Sequence, residues 1–312
     1  MSLQRAASMR KAKLMKRSKG DIIFDAVIFV ILTVIFLIVA YPLYFIIISS
    51  FSDPAAVAGG MVVWIPIKPN LRGYEEVFRN NAVVRGFLNS LLYTSVGTLL
   101  NLVVTLPTAF ALSRKEFQGN RFVTVFYLIT MFVNGGMIPT YLVVKSVKFL
   151  DTIWALIVPG ALGVYNMFIC RTYFKTNLPN ELIEAAKLDG CGNTRFFVSI
   201  ALPLSGALIA IMVLYYGIGH WNSYFSALLY ISDKNKFPLQ LVLRSILIQN
   251  EAQLAQQGVS TAQQLKEQAR RRELVELMKY SLIIVSSIPV MIIYPIIQKY
   301  FVKGVLIGSV KG

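Results

Sequence analysis

The residues best placed to do chemistry form a short polar run between two apolar stretches: Leu178-Pro179-Asn180-Glu181-Leu182-Ile183-Glu184-Ala185-Ala186-Lys187-Leu188-Asp189-Gly190-Cys191-Gly192. Pro179 and Asn180 open a helix, because proline suits a helix start, where an N–H would be unpaired anyway. Ala185 and Ala186 give that helix a small-residue face on which another protein can pack closely. Gly190 ends it, since glycine enters the left-handed region without a Cβ penalty. A second helical run begins near Asn193, a cap residue, and carries Phe196, Phe197, Ile200 and Leu202-Pro203. The chemistry of such a segment is docking rather than bond-making.

A second constellation combines aromatic rings with side-chain amides, the groups that hold neutral sugars. Tyr215, Tyr216, His220, Trp221, Asn222 and Tyr224 fall in one apolar run, Tyr165 and Asn166 in the run before it, and Asn134 earlier still. Aromatics in helical bundles also pack on one another or sit at interfaces, so each of these residues has a structural reading beside the functional one. His220, the sole histidine, reads as a hydrogen-bonded bundle residue rather than a proton shuttle. No catalytic residue is expected: the chain lacks a G-x-x-x-x-G-K-[ST] phosphate loop, an H-E-x-x-H, a nucleophile elbow and paired carboxylates within its apolar runs. Cys170 and Cys191 show no metal-ligand spacing, and in a reducing compartment both stay thiols. No metal site is expected.

The elements that carry these residues are membrane helices. The chain is 56% hydrophobic and 15% charged, against about 25% charged in a typical soluble domain. About 20 apolar residues in a helix cross a hydrocarbon core, and in lipid the backbone must satisfy its own hydrogen bonds. Apolar periodicity predicts about six spans, at 22–50, 84–112, 121–144, 152–173, 198–230 and 280–302. Pro107, Pro159, Pro203 and Pro289 fall inside them, as membrane helices tolerate.

A net charge of +16 admits nucleic acid or a membrane as partner. The distribution favours the membrane: Arg5, Arg10, Lys11, Lys13, Lys16, Arg17 and Lys19 precede the first acid, Asp21. This positive-inside signal puts a basic tail, residues 1–20, in the cytoplasm. The apolar run behind it is too long for a signal peptide and reads as a retained helix. No nucleic-acid-binding motif accompanies the tail. With an even number of spans both termini are cytoplasmic, 51–83 and 145–151 lie outside with Trp64 and Tyr74 at the interface, and 113–120 and 174–197 lie inside. Residues 231–279 form a long outer loop, whose Gln-, Glu-, Ala- and Arg-rich part from Glu251 is predicted as an outer helical hairpin, with a turn at Gly258 and Ser260 or Thr261 as cap. Lys234, Lys236 and Arg270–Arg272 make that loop basic, suited to an acidic partner protein or an acidic oligosaccharide such as a uronate fragment.

The run Glu184-Ala185-Ala186-x-x-Asp189-Gly190, with Ala201-Leu202-Pro203 beyond it, resembles the EAA motif of ABC importer permeases. Phe174 with Leu178-Pro179-x-Glu181-Leu182 is similar to the carbohydrate-uptake branch, to which the maltose permease MalG belongs. So are Ser49-Ser50-Phe51-Ser52-Asp53, the Trp221-Asn222 pair and the closing Gln298-Lys299-Tyr300-Phe301-Val302-Lys303-Gly304 with Gly308-Ser309-Val310-Lys311-Gly312. The wording over nearly the whole chain resembles LplC-like permeases, which are linked to polysaccharide-derived oligosaccharides. It departs at Ala207, where many members carry a second proline.

The resemblance implies an all-α integral membrane protein of the type I ABC importer permease fold, with residues 21–312 as the permease domain. Segment 178–203 would couple to an ATPase, with Glu184, Ala185, Ala186, Asp189 and Gly190 as docking contacts and Glu184 facing a basic group or helix N-terminus. It also implies a second permease subunit in a heterodimer, an ABC ATPase dimer that binds ATP and magnesium, and a periplasmic or lipid-anchored solute-binding protein. This chain would bind no cofactor, sit among lipid in the bacterial inner membrane, and pass an oligosaccharide by alternating access. Asn134, Tyr165, Asn166, Tyr215, His220, Trp221, Asn222 and Tyr224 are the pathway candidates. The competing readings are an ABC permease for a non-sugar solute, against which the closing signature speaks, a polytopic enzyme, and an ion-coupled carrier. The last would more often show ionisable residues at mid-membrane.

Overall fold

The computed structural model describes residues 19–255 and 262–309. The basic tail before Lys19, the turn at Gly258, the caps Ser260 and Thr261, and the side chains of Lys266, Arg270–Arg272 and the closing signature beyond Gln298 lie outside the described residues. The described secondary structure is helical, with no strand. The chain divides into two compact units, with the boundary between Asn70 and Leu71 in the sequence.

In the first unit α1, Lys19–Ser50, carries one apolar side chain after another. From Ile22 to Leu43 these are exposed or nearly so, which water would penalise and hydrocarbon does not. Residues 51–70 are a folded cap rather than an open loop. Asp53 accepts the Ala55 N–H at 3.3 Å and starts α2, Pro54–Ala58. Ser52 donates to the Ile48 carbonyl and accepts the Ile67 N–H, and Ile48, Ala56 and Val62 close a small core. Trp64 is exposed, its ring edge-on to Tyr41.

The second unit is organised by α4, Asn81–Ser113, which Asn80 caps through Ala82 and Val83. Its buried face runs Val83, Gly86, Ser90, Tyr93, Gly97, Asn101, Thr105, Ala109 and Leu112, a helical period written largely in small and polar residues. With lipid as apolar as leucine, only close backbone approach and interhelical hydrogen bonds favour one face over another. Against this stripe pack α8, Val164–Asn177, and α11, Gly206–Trp221. The short α3, Arg72–Arg79, lies on the last helix, α14, Ala262–Ser309.

The expected spans are borne out unevenly. Among the described residues three helices are long and apolar enough to cross a bilayer, Lys19–Ser50, Asn81–Ser113 and Val275–Gln298, or five if two bent pairs each count as one. The span predicted at 121–144 is broken into α5, Asn120–Phe132, and α6, Met137–Ser146, bent by 115°. Gly135-Gly136 allows the break, Gly136 at φ +85° in a region that only glycine enters freely. The span predicted at 152–173 is likewise two pieces, α7, Trp154–Ile157, and α8, parted around Pro159, Gly160 and Gly163.

The run predicted at 198–230 begins earlier and breaks twice. Its first piece, α10 (Asn193–Leu204), includes a π-turn at Phe197–Ala201 ahead of Pro203. An 83° bend then leads into α11, so the chain turns sharply without a proline at Ala207. After Trp221 it breaks again before α12, Tyr224–Tyr230. The predicted outer loop is also revised. Residues 239–248 are the apolar half of α13, Leu239–Ala255, which packs on α4, α12 and α14. The hairpin's second arm is not a separate helix, because α14 runs on through the final span. Ten apolar residues are too few to announce a spanning segment, and a helix-forming polar arm joined to an apolar one leaves no stop signal between them.

Candidate functional site

The segment expected to dock forms as its residues dictate. Helix α9 spans Asn180–Leu188, with Pro179 before it, Glu181 in its first turn and Lys187 in its last, charges that suit the helix dipole. Gly190 takes φ +73°, and the N–H of Cys191 reaches back to the Ala186 carbonyl at 2.8 Å, closing the helix as a left-handed cap does. The next helix starts at Asn193 itself, with Gly192 in the cap position and no side-chain cap.

Two anchors hold α9 to the chain. Ala186 is buried in a core with Phe110, Phe174 and Phe196, so its contacts are made within this chain rather than offered to another. Lys187 pairs with Glu116 of the turn after α4 at 2.9 Å. That hydrogen bond, together with one from the Glu116 backbone, holds the Glu116 carboxyl below the usual glutamate range. In the same turn Arg114 lies 4.6 Å over the Phe110 ring and donates to the Phe174 carbonyl. Burial lowers its pKa from the ordinary arginine value.

Glu184, Ala185, Leu188, Asp189 and Gly190 are left exposed. Leu188, 90% exposed, was not singled out by sequence. An apolar residue at a helix's last turn reads as core until packing shows that none of the described residues covers it. Two hollows share Arg114 and Glu116 as walls, one of about 460 Å³ reaching Lys187 and Thr194 and one of about 390 Å³ reaching Lys175 and Glu184.

The pathway candidates separate into two groups. Trp221 is buried, donates its Nε1–H to the Ser286 carbonyl at 3.0 Å and lies edge-on to Phe87, so it fastens α11 to α14. His220 bonds through Nε2 to Asn101 Oδ1 at 2.7 Å. The Asn101 amide donates to the carbonyls of Gly160 and Ala161, which leaves its oxygen as acceptor and makes His220 Nε2 the donor. Tyr216 joins Thr105 at 2.8 Å and accepts the Gly163 N–H. Together these bonds pin the unwound segment 158–163 to α4 and α11. Neither Asn101 nor Thr105 was anticipated. Their signal was the small-and-polar stripe along α4, not hydropathy.

Tyr165, Tyr215, Asn222 and Tyr224 are exposed, and Asn166 is partly so, beside Gly163 and Tyr216. Asn134 sits at the α5–α6 break, exposed, its Oδ1 accepting the Gly136 N–H at 2.8 Å. A cavity of about 310 Å³ between α4, α11 and α14 is walled mainly by Leu99, Leu102, Val213, Pro289 and Ile293, too apolar to satisfy a sugar's hydroxyls.

At one end of α4, the turn 232–237 is clasped by Asn89, Tyr93 and Arg85. Asp151 accepts the N–H groups of Ser232 and Asp233, and the Asp233 amide foremost holds its carboxyl below the usual range. Lys236 donates to the Asp151 carbonyl and lies within 4 Å of both Asp151 and Asp233 carboxylates. Its charge is therefore met locally. Among the described residues no cluster of histidine, cysteine or carboxylate side chains has the makings of a metal site.

Residues 82–307 match the family described as "Binding-protein-dependent transport system inner membrane component". The chain is 36% identical, over 93% of its length and 99% of the relative's, to the polygalacturonan/rhamnogalacturonan transport system permease protein YtcP of Bacillus subtilis (strain 168). It is 37% identical to protein LplC of the same organism, over 97% of this chain and all of that one. A solved structure described as a bacterial ABC transporter involved in the import of the acidic polysaccharide alginate superposes with a TM-score of 0.82. That match is 29% identical and covers 92% of this chain and 99% of that one.

Proposed function

Because this chain belongs to the family of binding-protein-dependent transport system inner membrane components, we propose that it passes uronate-bearing oligosaccharides across a bacterial inner membrane as one of two permease subunits. A partner ATPase takes the ATP and magnesium, and a solute-binding protein delivers the sugar. Both termini face the cytoplasm. The acidic substrate class is supported by the relatives' own descriptions, polygalacturonan for one and alginate for another.

The observation that carries the reading is the anchored, exposed helix α9. Ala186 sinks into the core and Lys187 is tethered to Glu116, while Glu184, Ala185, Leu188, Asp189 and Gly190 stand clear. Those five residues dock in the ATPase. Leu188 enters an apolar pocket, as a buried anchor in a polar rim does, and Glu184 meets a basic group. When ATP closes the ATPase dimer, α9 moves as a lever, and its two anchors pass that movement to α4, α8 and α10, whose core it shares.

The test is co-purification from membranes, comparing the parent with Gly190→Asp and Glu184→Lys. The parent should retain the ATPase, and the variants, eluting as folded protein, should lose it. An ATPase that stays equally with both variants moves the docking site elsewhere. A parent that retains none refutes the coupling assignment.

A further inference from the structure

We propose that Arg244 and Tyr224, at the break between α11 and α12, form a subsite for the carboxylate of an acidic sugar, with Asn222 taking its hydroxyls. The inference rests on the transport reading above and names the residues that read the substrate's charge.

Asn222 and Tyr224 lie at the break, and Arg244 reaches the Tyr224 ring from α13. Helix α11 ends at Trp221, and the turn spends its backbone locally: Asn222 N–H to the Ile218 carbonyl, Ser223 Oγ to the His220 carbonyl, Tyr224 N–H to the Asn222 carbonyl. The Asn222 side chain is left exposed with no partner among the described residues. Tyr224 and Phe225 are 43% and 53% exposed, their rings edge-on to each other. The Arg244 guanidinium lies over the Tyr224 ring, 5.8 Å from its centroid.

Arg244 is out of place by every rule of composition. It is the only charge in Leu239–Ile248, LQLVLRSILI, and no described carboxylate pairs with it. The site lies toward the Asn81 end of α4, where Leu239 and Val242 abut Gly86 and the turn 232–237 is clasped. Contact with one ring is worth only about 0.5–1 kcal/mol at an exposed site, which leaves the five guanidinium donors unspent. A planar guanidinium matches a carboxylate with two parallel bonds, an aromatic face covers the C–H face of a pyranose, and an amide both donates to and accepts from hydroxyls. In one cluster they recognise a uronate. A neutral sugar leaves the cation unmet.

The experiment uses the whole importer, this chain with its partner permease, ATPase and binding protein, in vesicles. Trigalacturonate and its methyl ester, both first shown to load the binding protein, are compared for uptake with the parent, Arg244→Gln and Arg244→Lys. The ratio of acid to ester uptake should fall about ten- to a hundredfold in Arg244→Gln, the span of a hydrogen bond to a charged group, with Arg244→Lys recovering part of it. An unchanged ratio overturns the subsite, whether both uptakes persist or both fall together, the latter marking Arg244 as structural only. A parent that carries the ester alone, or neither sugar, removes the acidic-substrate reading and the subsite with it.

Discussion

Gly97→Ala asks whether the buried network around Asn101 holds the bundle together. A Cβ at Gly97 would lie 2.5, 2.6 and 2.8 Å from Nε2, Cε1 and Cδ2 of His220, where relaxed carbon contacts need about 3.5–4.0 Å. The ring must retreat by about 1 Å, yet it is held to Asn101 at 2.7 Å, and Asn101, fully buried, is held in turn by two carbonyls at 2.6 and 2.9 Å. Overpacking costs about 1–3 kcal/mol and a lost internal hydrogen bond about 1 kcal/mol. The sum is about 2–4 kcal/mol, or roughly 5–15 °C in melting temperature at about 2–4 °C per kcal/mol. The assay is thermal unfolding of the detergent-purified chain, run for Gly97→Ala, His220→Ala and the double variant. In the His220→Ala background the alanine at 97 should cost far less, because the clashing ring is gone. A Gly97→Ala protein that melts with the parent, or a cost that is the same in both backgrounds, refutes the argument.

Exchanging the partners of the α9 tether, Glu116→Lys with Lys187→Glu, should restore substrate-stimulated ATP hydrolysis in the assembled importer relative to either single change. The coupling should be about 0.2–1 kcal/mol, as befits a pair this exposed, or up to about fivefold in rate; singles whose effects simply add would place Lys187 outside the tether. The same pair sets a pH signature. The folded Glu116 pKa is depressed, so the tether's contribution is complete above the unfolded-chain glutamate value and is lost as pH falls from there through the lower folded value. ATPase retention should therefore be level through neutral pH and fall only in acid, with Glu116→Gln flattening that fall. Leu188→Ser should weaken ATPase retention by about tenfold, the order expected for removing an apolar anchor, without lowering the melting temperature, since no described residue of this chain covers Leu188. A drop in melting temperature with retention intact would count against the docking role.

Much of the local structure of residues 178–192 was legible in advance. Gly190 adopts the left-handed conformation its position demanded, and α9 begins and ends where Pro179 and Gly190 place it. That information is local, carried by backbone preferences within one turn of helix. The aromatic pathway set was not legible, because Tyr215, Tyr216, Trp221 and Tyr224 have the same composition signal and different fates. One face of α11 turns Tyr216 and Trp221 inward, and a break two residues later turns Tyr224 outward.

By itself the sequence determined that the chain crosses a membrane, that a helix with a left-handed cap interrupts the apolar runs after Leu178, and that its wording belongs with oligosaccharide permeases. These follow from solvent preference and local conformational energy, which need no partner in space. Only the tertiary structure decided that three predicted spans are broken, that Ala186 faces inward while Leu188 stands alone, that Lys187 is tied to Glu116, and that Arg244 reaches Tyr224. Each of these depends on which residues meet across the bundle. In lipid, hydropathy is nearly blind to that choice: what selects a face is the close fit of Gly86 and Gly97 and the few hydrogen bonds of Asn101, Thr105 and His220.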